Sequence, residues 1–171
     1  AKNSINVLDI GCKNWFYAQA EFDFFNELFS EVFLDGVELD AYRLYSNFYS
    51  RYETAKFYTK DLKNTTYIPN NLLNINKKYD YIIWFLPFVV ENPHIFWGLP
   101  KKYFYPKRLL KHAYNILNSN GQMLIINQGK DEKDVQEKFL KELNIPYTFL
   151  GKIESKYFQY KNDRYGFLIK K

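Results

Sequence analysis

The sequence predicts an α/β fold in three layers: a seven-stranded, mostly parallel sheet with helices on both faces and an antiparallel hairpin at its C-terminal end. Three observations carry this expectation. Short apolar runs alternate with stretches of helical spacing from Ile5 to Leu143. One run, residues 79–86, is dense enough to be covered on both faces. The last two runs, 148–153 and 165–169, lie too close together for a parallel crossover, which needs about a dozen residues or more, so they must pair as a hairpin.

Taken in order, residues 5–10 are a β-branched and leucine run that ends at Gly11, a buried strand followed by a tight turn. Over residues 15–30, Phe16, Ala20, Phe24 and Leu28 recur at every fourth position and predict a helix. Residues 32–38 are the second strand. Residues 41–62 then read as one long helix, with Leu44, Phe48, Tyr52, Ala55 and Tyr58 on one face. Residues 65–69 and 79–86 are the third and fourth strands. The Pro-rich segment 87–106 that follows is irregular, aromatic and long for a connector, a type of loop that is more often functional than idle.

Residues 107–117 form a helix through Leu109, Leu110, Ala113, Tyr114 and Leu117, and "NSNG" at 118–121 is expected to end it in a turn. Residues 123–126 are the fifth strand. A helix over 130–143 follows, with Val135, Phe139 and Leu143 in step and Pro146 beyond its end. The final hairpin completes a pattern with no internal repeat or linker, so one domain over residues 1–171 is expected; the chain opens on Ala1 without an initiator methionine, which leaves an upstream segment open.

Composition narrows the function classes. At 171 residues and 47% apolar the chain can bury a continuous core without cross-links, and the aromatic share of 20%, with Tyr 16 and Phe 16, predicts a ring-lined core and pocket. The longest apolar run, 81–90, is half the length of a membrane span and contains Pro87, so a soluble protein is expected. A lone cysteine, Cys12, argues against a disulfide framework and for a reducing, cytoplasmic compartment; two distant histidines leave little material for a metal site. The net charge of +5 is spread among acids along the chain, so nucleic acid is not the expected partner.

The opening turn carries the first chemistry. In "VLDIGCKNWFY", residues 7–17, the strand hands over to its helix where open α/β sheets place ligands, yet only Gly11 of a G-x-G-x-x-G set is present. Backbone contact with a pyrophosphate is therefore not expected, which disfavours a nicotinamide oxidoreductase. A phosphate-free nucleoside needs less: a residue without a side chain, an acid for hydroxyls and a slot for a base. Gly11 meets the first need. Glu38 can take two ribose hydroxyls, and Asn70 or Asn71 can offer an amide oxygen to an adenine amine.

"VLDIGC", "GVELDAYR", "YDYIIWFLPFV" and "LLKHAYNILNSNGQMLIINQG", in that order and followed by the hairpin, resemble the motifs of the class I S-adenosylmethionine-dependent methyltransferases, across residues 5–169, as a divergent member with a Rossmann-like sheet. The resemblance implies S-adenosylmethionine as cofactor. It places Asp9 and Gly11, with Cys12 and Lys13 beside them, around the methionine part, Glu38 at the ribose, Leu39 and Asp40 flanking the adenine, Asn70 or Asn71 at its amine, and Trp84 at the end of the fourth strand. The family's second and third loop glycines are replaced by Lys13 and Trp15 or their neighbours. Lys13 reads equally as a partner for the cofactor carboxylate or as a solvated side chain, Trp15 as a core anchor, and Cys12 as a buried filler.

Methyl transfer from a sulfonium needs alignment and exclusion of water more than any one catalytic group. The stretch 84–100 is where an acceptor would lie; its candidates are Trp84, Glu91 and His94, the last as a general base. Phe85, Leu86, Pro87 and Phe88 stand where amine-methylating members often carry an Asn or Asp, two prolines and an aromatic, so a nucleobase amine is not the expected acceptor, and the acceptor stays unidentified. Gln128, at the same edge of the sheet, is a candidate to shape the pocket. The depleted glycine loop motivates an alternative, an inactive methyltransferase-like binding or interaction module.

Overall fold

The computed structural model describes residues 3–157 and 159–171. Its strands are β1 (Ser4–Ile10), β2 (Glu31–Val37), β3 (Thr65–Ile68), β4 (Tyr79–Phe85), β5 (Leu117–Gln128), β6 (Thr148–Ile153) and β7 (Arg164–Lys170). Between them lie α1 (Ala18–Asn26), α2 (Arg51–Thr59), α3 (Glu91–Phe96), α4 (Pro106–Ile116) and α5 (Gly129–Glu142). The seven strands form one sheet in the order β3-β2-β1-β4-β5-β7-β6, with β7 antiparallel to both its neighbours and the other pairs parallel. The expected α/β architecture and its terminal hairpin are both found.

Each face of the sheet has its own core. Alternating side chains of β1 divide between them, because successive residues of a strand point to opposite sides. Ile5 and Val7 join Val32, Leu34, Ala18, Phe25 and Ala55 under α1 and α2. Leu8 and Ile10 join Ile82, Trp84, Leu110, Ala113 and Leu140 under α4 and α5. Because β2 and β3 lie on one side of β1 and β4 on the other, the connections leaving β1 and β4 part company at the C-terminal edge of the sheet. A crevice opens there.

Four expectations need correcting. The helix expected over 15–30 is the shorter α1, and its predicted stripe faces solvent: Phe16, Phe24 and Leu28 are 65%, 59% and 63% exposed. A second stripe won, in which Phe25 is buried and Phe22 and Phe29 pack against the same core. Gln19, Asp23, Asn26 and Glu27 fall at i, i+4, i+7 and i+8 and are all exposed, so the polar stripe marks the wet side, and the buried face is set by where the polar residues lie and not by the spacing of Phe16, Phe24 and Leu28.

The helix expected over 41–62 is α2 alone. Residues 41–50 instead fold back on themselves, with Leu44 bridged to Ser50 and Phe48 in the left-handed region at φ 66°. The helix begins at a capping box, in which the Ser50 hydroxyl receives the Glu53 N–H at 3.1 Å and the Glu53 carboxylate receives the Ser50 N–H at 2.8 Å. Leu44 and Phe48, expected on one helix face with Tyr52, Ala55 and Tyr58, lie outside the helix, and both they and Tyr58 are exposed.

"NSNG" does not end a helix in a separate turn. It bulges within β5, where Leu117 pairs with Tyr79 but Gln122 already pairs with Tyr81. Finally, the segment 87–106 is not wholly irregular: it holds α3 and a single 3-10 turn at Lys101–Tyr103.

Candidate functional site

A cavity of about 500 Å³ occupies the crevice at the C-terminal ends of β1, β2, β4 and β5, within the size range of small-molecule sites. Its walls come from the β1–α1 loop (Gly11, Lys13), the end of β2 (Glu38, Leu39) and the turn after β3 (Asn70, Asn71). The end of β4 adds Trp84 and Phe85, and the segment over it adds His94 and Trp97.

The β1–α1 loop is built on alternating left-handed residues: Gly11 at φ +73°, Lys13 at 53° and Trp15 at 49°. Gly11 donates its N–H to the Val37 carbonyl at 2.8 Å, and a Cβ placed on it would meet no atom within 4 Å, so bare backbone faces open space. Lys13 and Trp15 hold a conformation that costs an ordinary residue roughly 1–2 kcal/mol, and they hold it because their surroundings leave no alternative. The Lys13 N–H is bound by Glu38 at 2.9 Å and its carbonyl by the Tyr67 hydroxyl. Trp15 is fully buried away from the cavity, its indole N–H donated to Glu21 at 2.8 Å. It is a core anchor.

Glu38 is 6% exposed and rigidly held. One carboxylate oxygen receives the Lys13 N–H at 2.9 Å and the other the Asp40 N–H at 2.8 Å, while the Arg51 guanidinium stands 3.7 Å away. Arg51 is buried at the first turn of α2 and also meets Asp40 at 3.3 Å. An oxygen of a carboxylate can accept more than one hydrogen bond, so Glu38 keeps acceptor capacity on the cavity side.

Asp9 lies one layer behind the wall, fully buried. It accepts the Tyr17 hydroxyl at 2.8 Å, and its second oxygen and one oxygen of Glu21 have no other partner, which is what a proton shared between two carboxyls leaves behind. Burial pushes both carboxyls upward in pKa; the charge of Asp9 raises Glu21 further, while the hydrogen bonds Asp9 receives from Tyr17 and Glu21 offset part of its own rise. Tyr17 covers Asp9 and itself lines the cavity. Burial likewise pushes the Cys12 thiol well up, so Cys12 sits as an inert filler.

Lys13 reaches neither acid. Its ammonium stands 4.1 Å from the centroid of the Trp97 ring, and partial burial with Arg51 nearby holds its pKa down. The amide oxygen of Asn70 is occupied by the Asn71 N–H and the Asn74 amide, each at 2.8 Å. That of Asn71 accepts the Leu73 N–H at 3.0 Å and retains one lone pair, while its amide group meets the Tyr105 hydroxyl. Leu39, Leu72 and Trp84 add apolar wall.

Of the acceptor-side candidates, His94 is 4% exposed, with Nε2 3.0 Å from the Pro100 carbonyl and its ring between Phe88 and Phe104. That bond fixes Nε2 as the protonated nitrogen and ties α3 to the turn beyond it. Glu91 pairs with Lys101 at 2.9 Å on the surface and does not line the cavity. Among the described residues no group of three or more His, Cys, Asp or Glu is placed to hold a metal ion, and no helix is long and apolar enough to cross a membrane.

Sequence reasoning missed Tyr17, Arg51, Tyr105 and Glu132, all of which line the cavity. For Arg51 a signal existed, since the capping box at Ser50 places the next residue at the start of a helix. For the others none did, because only the folding of distant segments brings them to the crevice.

No protein-family model and no curated protein sequence matches the chain. Solved structures do. The chain is similar to an S-adenosylmethionine-dependent methyltransferase from Aquifex aeolicus at TM-score 0.67 and 14% identity, over 97% of this chain and 81% of that one. A magnesium protoporphyrin IX methyltransferase from Synechocystis PCC 6803, solved with bound S-adenosylmethionine, gives 0.61 and 11% over 98% and 70%. A ribosomal protein L11 methylase from Lactobacillus delbrueckii subsp. bulgaricus gives 0.63 and 14% over 97% and 69%. In its seven-stranded order and its antiparallel β7, the chain has the fold of the class I S-adenosylmethionine-dependent methyltransferases.

Proposed function

We propose that this chain is an S-adenosylmethionine-dependent methyltransferase. The observation that carries the reading is the pairing, across one open cavity, of bare left-handed backbone at Gly11 with the fixed carboxylate of Glu38. The donor set suits a nucleoside without phosphates. Glu38 would take the ribose hydroxyls, Leu39 and Leu72 would sandwich the base, Asn71 would offer its remaining lone pair to the adenine amine, and the backbone at Gly11 would pass the methionine tail toward Lys13.

Bound cofactor would supply a methyl group already activated on a sulfonium. The work left to the protein is to orient an acceptor and keep water out. Phe85 and Trp84, at the end of β4, and the His94-stapled segment above them form that enclosure. The buried free thiol of Cys12 accords with a reducing compartment such as the cytoplasm.

An interaction module would be favoured by a cleft filled with the protein's own indoles. Here Trp15 lies against β2 outside the cavity, and Trp84 forms wall without closing it. Titration calorimetry with S-adenosylmethionine and S-adenosylhomocysteine tests the proposal. Saturable heat with both, reduced at least tenfold in affinity by Glu38→Ala, is expected; no heat and no thermal shift with either at millimolar ligand sinks it.

A further inference from the structure

The cavity divides chemically into two halves. Toward β1, β2 and α2 lie the charged side chains Lys13, Glu38, Asp40 and Arg51, and the latter three are tied to one another or to backbone. Toward the ends of β4 and β5 the wall is Tyr17, Phe85, Leu86 and Phe88, with Gln128 and a lone carboxylate, Glu132. The register explains its position. Phe85 pairs with Ile126, the Leu86 N–H binds the Ile126 carbonyl at 2.8 Å, and β5 then runs past β4 to Gln128, so the first turn of α5 rises beside the end of β4.

One oxygen of Glu132 receives the Gln128 N–H at 3.1 Å, which fixes the side chain in this turn. Burial pushes its pKa up, with the Arg164 guanidinium nearby as a partial counterweight that makes no ion pair with it among the described residues. The second oxygen of this half-buried carboxylate has no described hydrogen-bond partner and stays free to accept one, and the rings of Tyr17 and Phe85 line the same cavity. Both features favour a positively charged or N–H-bearing group in this half of the cavity.

Resting on the proposed function, we propose that the methyl acceptor is an amine nitrogen on a small apolar or aromatic body, held by Glu132 against Tyr17 and Phe85. This supplies from β5 and α5 the N–H acceptor that Phe85, Leu86, Pro87 and Phe88 do not carry at the end of β4. An ammonium docking on ionised Glu132 gives one proton to the carboxylate. The nitrogen pair so freed forms the bond to the methyl carbon while the carbon–sulfur pair stays on sulfur, and the carboxyl proton leaves to water. The charged product nitrogen then faces the carboxylate again.

Calorimetry separates this from the cofactor proposal. S-adenosylhomocysteine is titrated first into wild type, Glu132→Gln and Glu132→Asp, then phenethylamine, 2-phenylethanol and cytidine are titrated into each complex. The expected result is equal S-adenosylhomocysteine affinity in all three, phenethylamine bound at least tenfold more tightly than 2-phenylethanol by wild type, that preference lost in Glu132→Gln and largely kept in Glu132→Asp. Equal binding of amine and alcohol by wild type, an unchanged preference in Glu132→Gln, or tighter binding of cytidine than of phenethylamine overturns the assignment. If S-adenosylhomocysteine fails to bind, the cofactor reading falls while the same amine titrations into the free protein still decide Glu132.

Discussion

The outer ring carbons of the Trp15 indole stand 2.8 Å from where a Cβ on Gly36 would lie, with the Cys12 sulfur at 2.9 Å. The glycine in β2 and the tryptophan of the β1–α1 loop therefore require each other. The indole is packed against the sheet outside the cavity, and its N–H is held by Glu21 at 2.8 Å. Gly36→Ala forces ring and thiol apart, and a destabilisation of about 1–3 kcal/mol is expected from urea unfolding. In a Trp15→Phe background the same change should cost less, because the offending ring atoms are gone; additive costs would show that the two residues do not meet in this way.

Lys13 and Gly11 share a left-handed backbone but not its cost. Gly11→Ala should lose about 1 kcal/mol although its Cβ meets nothing, since the penalty is in the backbone itself. Lys13→Gly removes strain of about 1–2 kcal/mol and adds backbone entropy to the unfolded chain worth about 0.5–1 kcal/mol, so stability should hold or rise slightly. A clear loss of stability in Lys13→Gly would mean that the contact with Trp97 outweighs the strain.

The Asp9 and Glu21 carboxyls face Tyr17, Trp15 and Cys12, with Glu38 adding its charge from β2. Burial raises Glu21 from 4.5 to about 9, so the folded state keeps a proton that the unfolded chain has already lost. The stability this contributes is complete below about pH 4 and drains away as pH climbs toward 9. Glu21→Gln, which carries its own N–H donor, should remove that dependence. Melting temperatures of wild type minus variant, measured from pH 5 to 9, should fall with pH; a flat difference would assign the buried proton elsewhere.

Ser50 sets where α2 starts and thereby where Arg51 meets Glu38. Ser50→Ala should cost about 1 kcal/mol by loss of the cap. It should also weaken S-adenosylhomocysteine binding, because the Arg51 guanidinium loses its anchored position. Unchanged affinity alongside lost stability would confine the cap's role to the helix.

Local chemistry in the sequence determined the order of the seven strands and of the helices other than α3, the terminal hairpin, the tight turn at Gly11 and the acid at the end of β2. Each of these follows from a preference that a residue and its near neighbours express by themselves: alternation along a strand, freedom of φ at a glycine, a connection too short to cross over. The buried stripe of α1 was also legible, from the polar side chains Gln19, Asp23, Asn26 and Glu27 on its far side; what only the tertiary structure decided is that Phe16, Phe24 and Leu28 stay exposed while Phe22, Phe25 and Phe29 meet the core. Tertiary structure also decided that Lys13 and Trp15 would take conformations suited to glycine, because Glu38, Tyr67 and Glu21, which arrive from later in the chain, enforce them. Glu132 reaches the crevice for the same kind of reason: β5 outruns β4, and that offset exists only once the strands are paired.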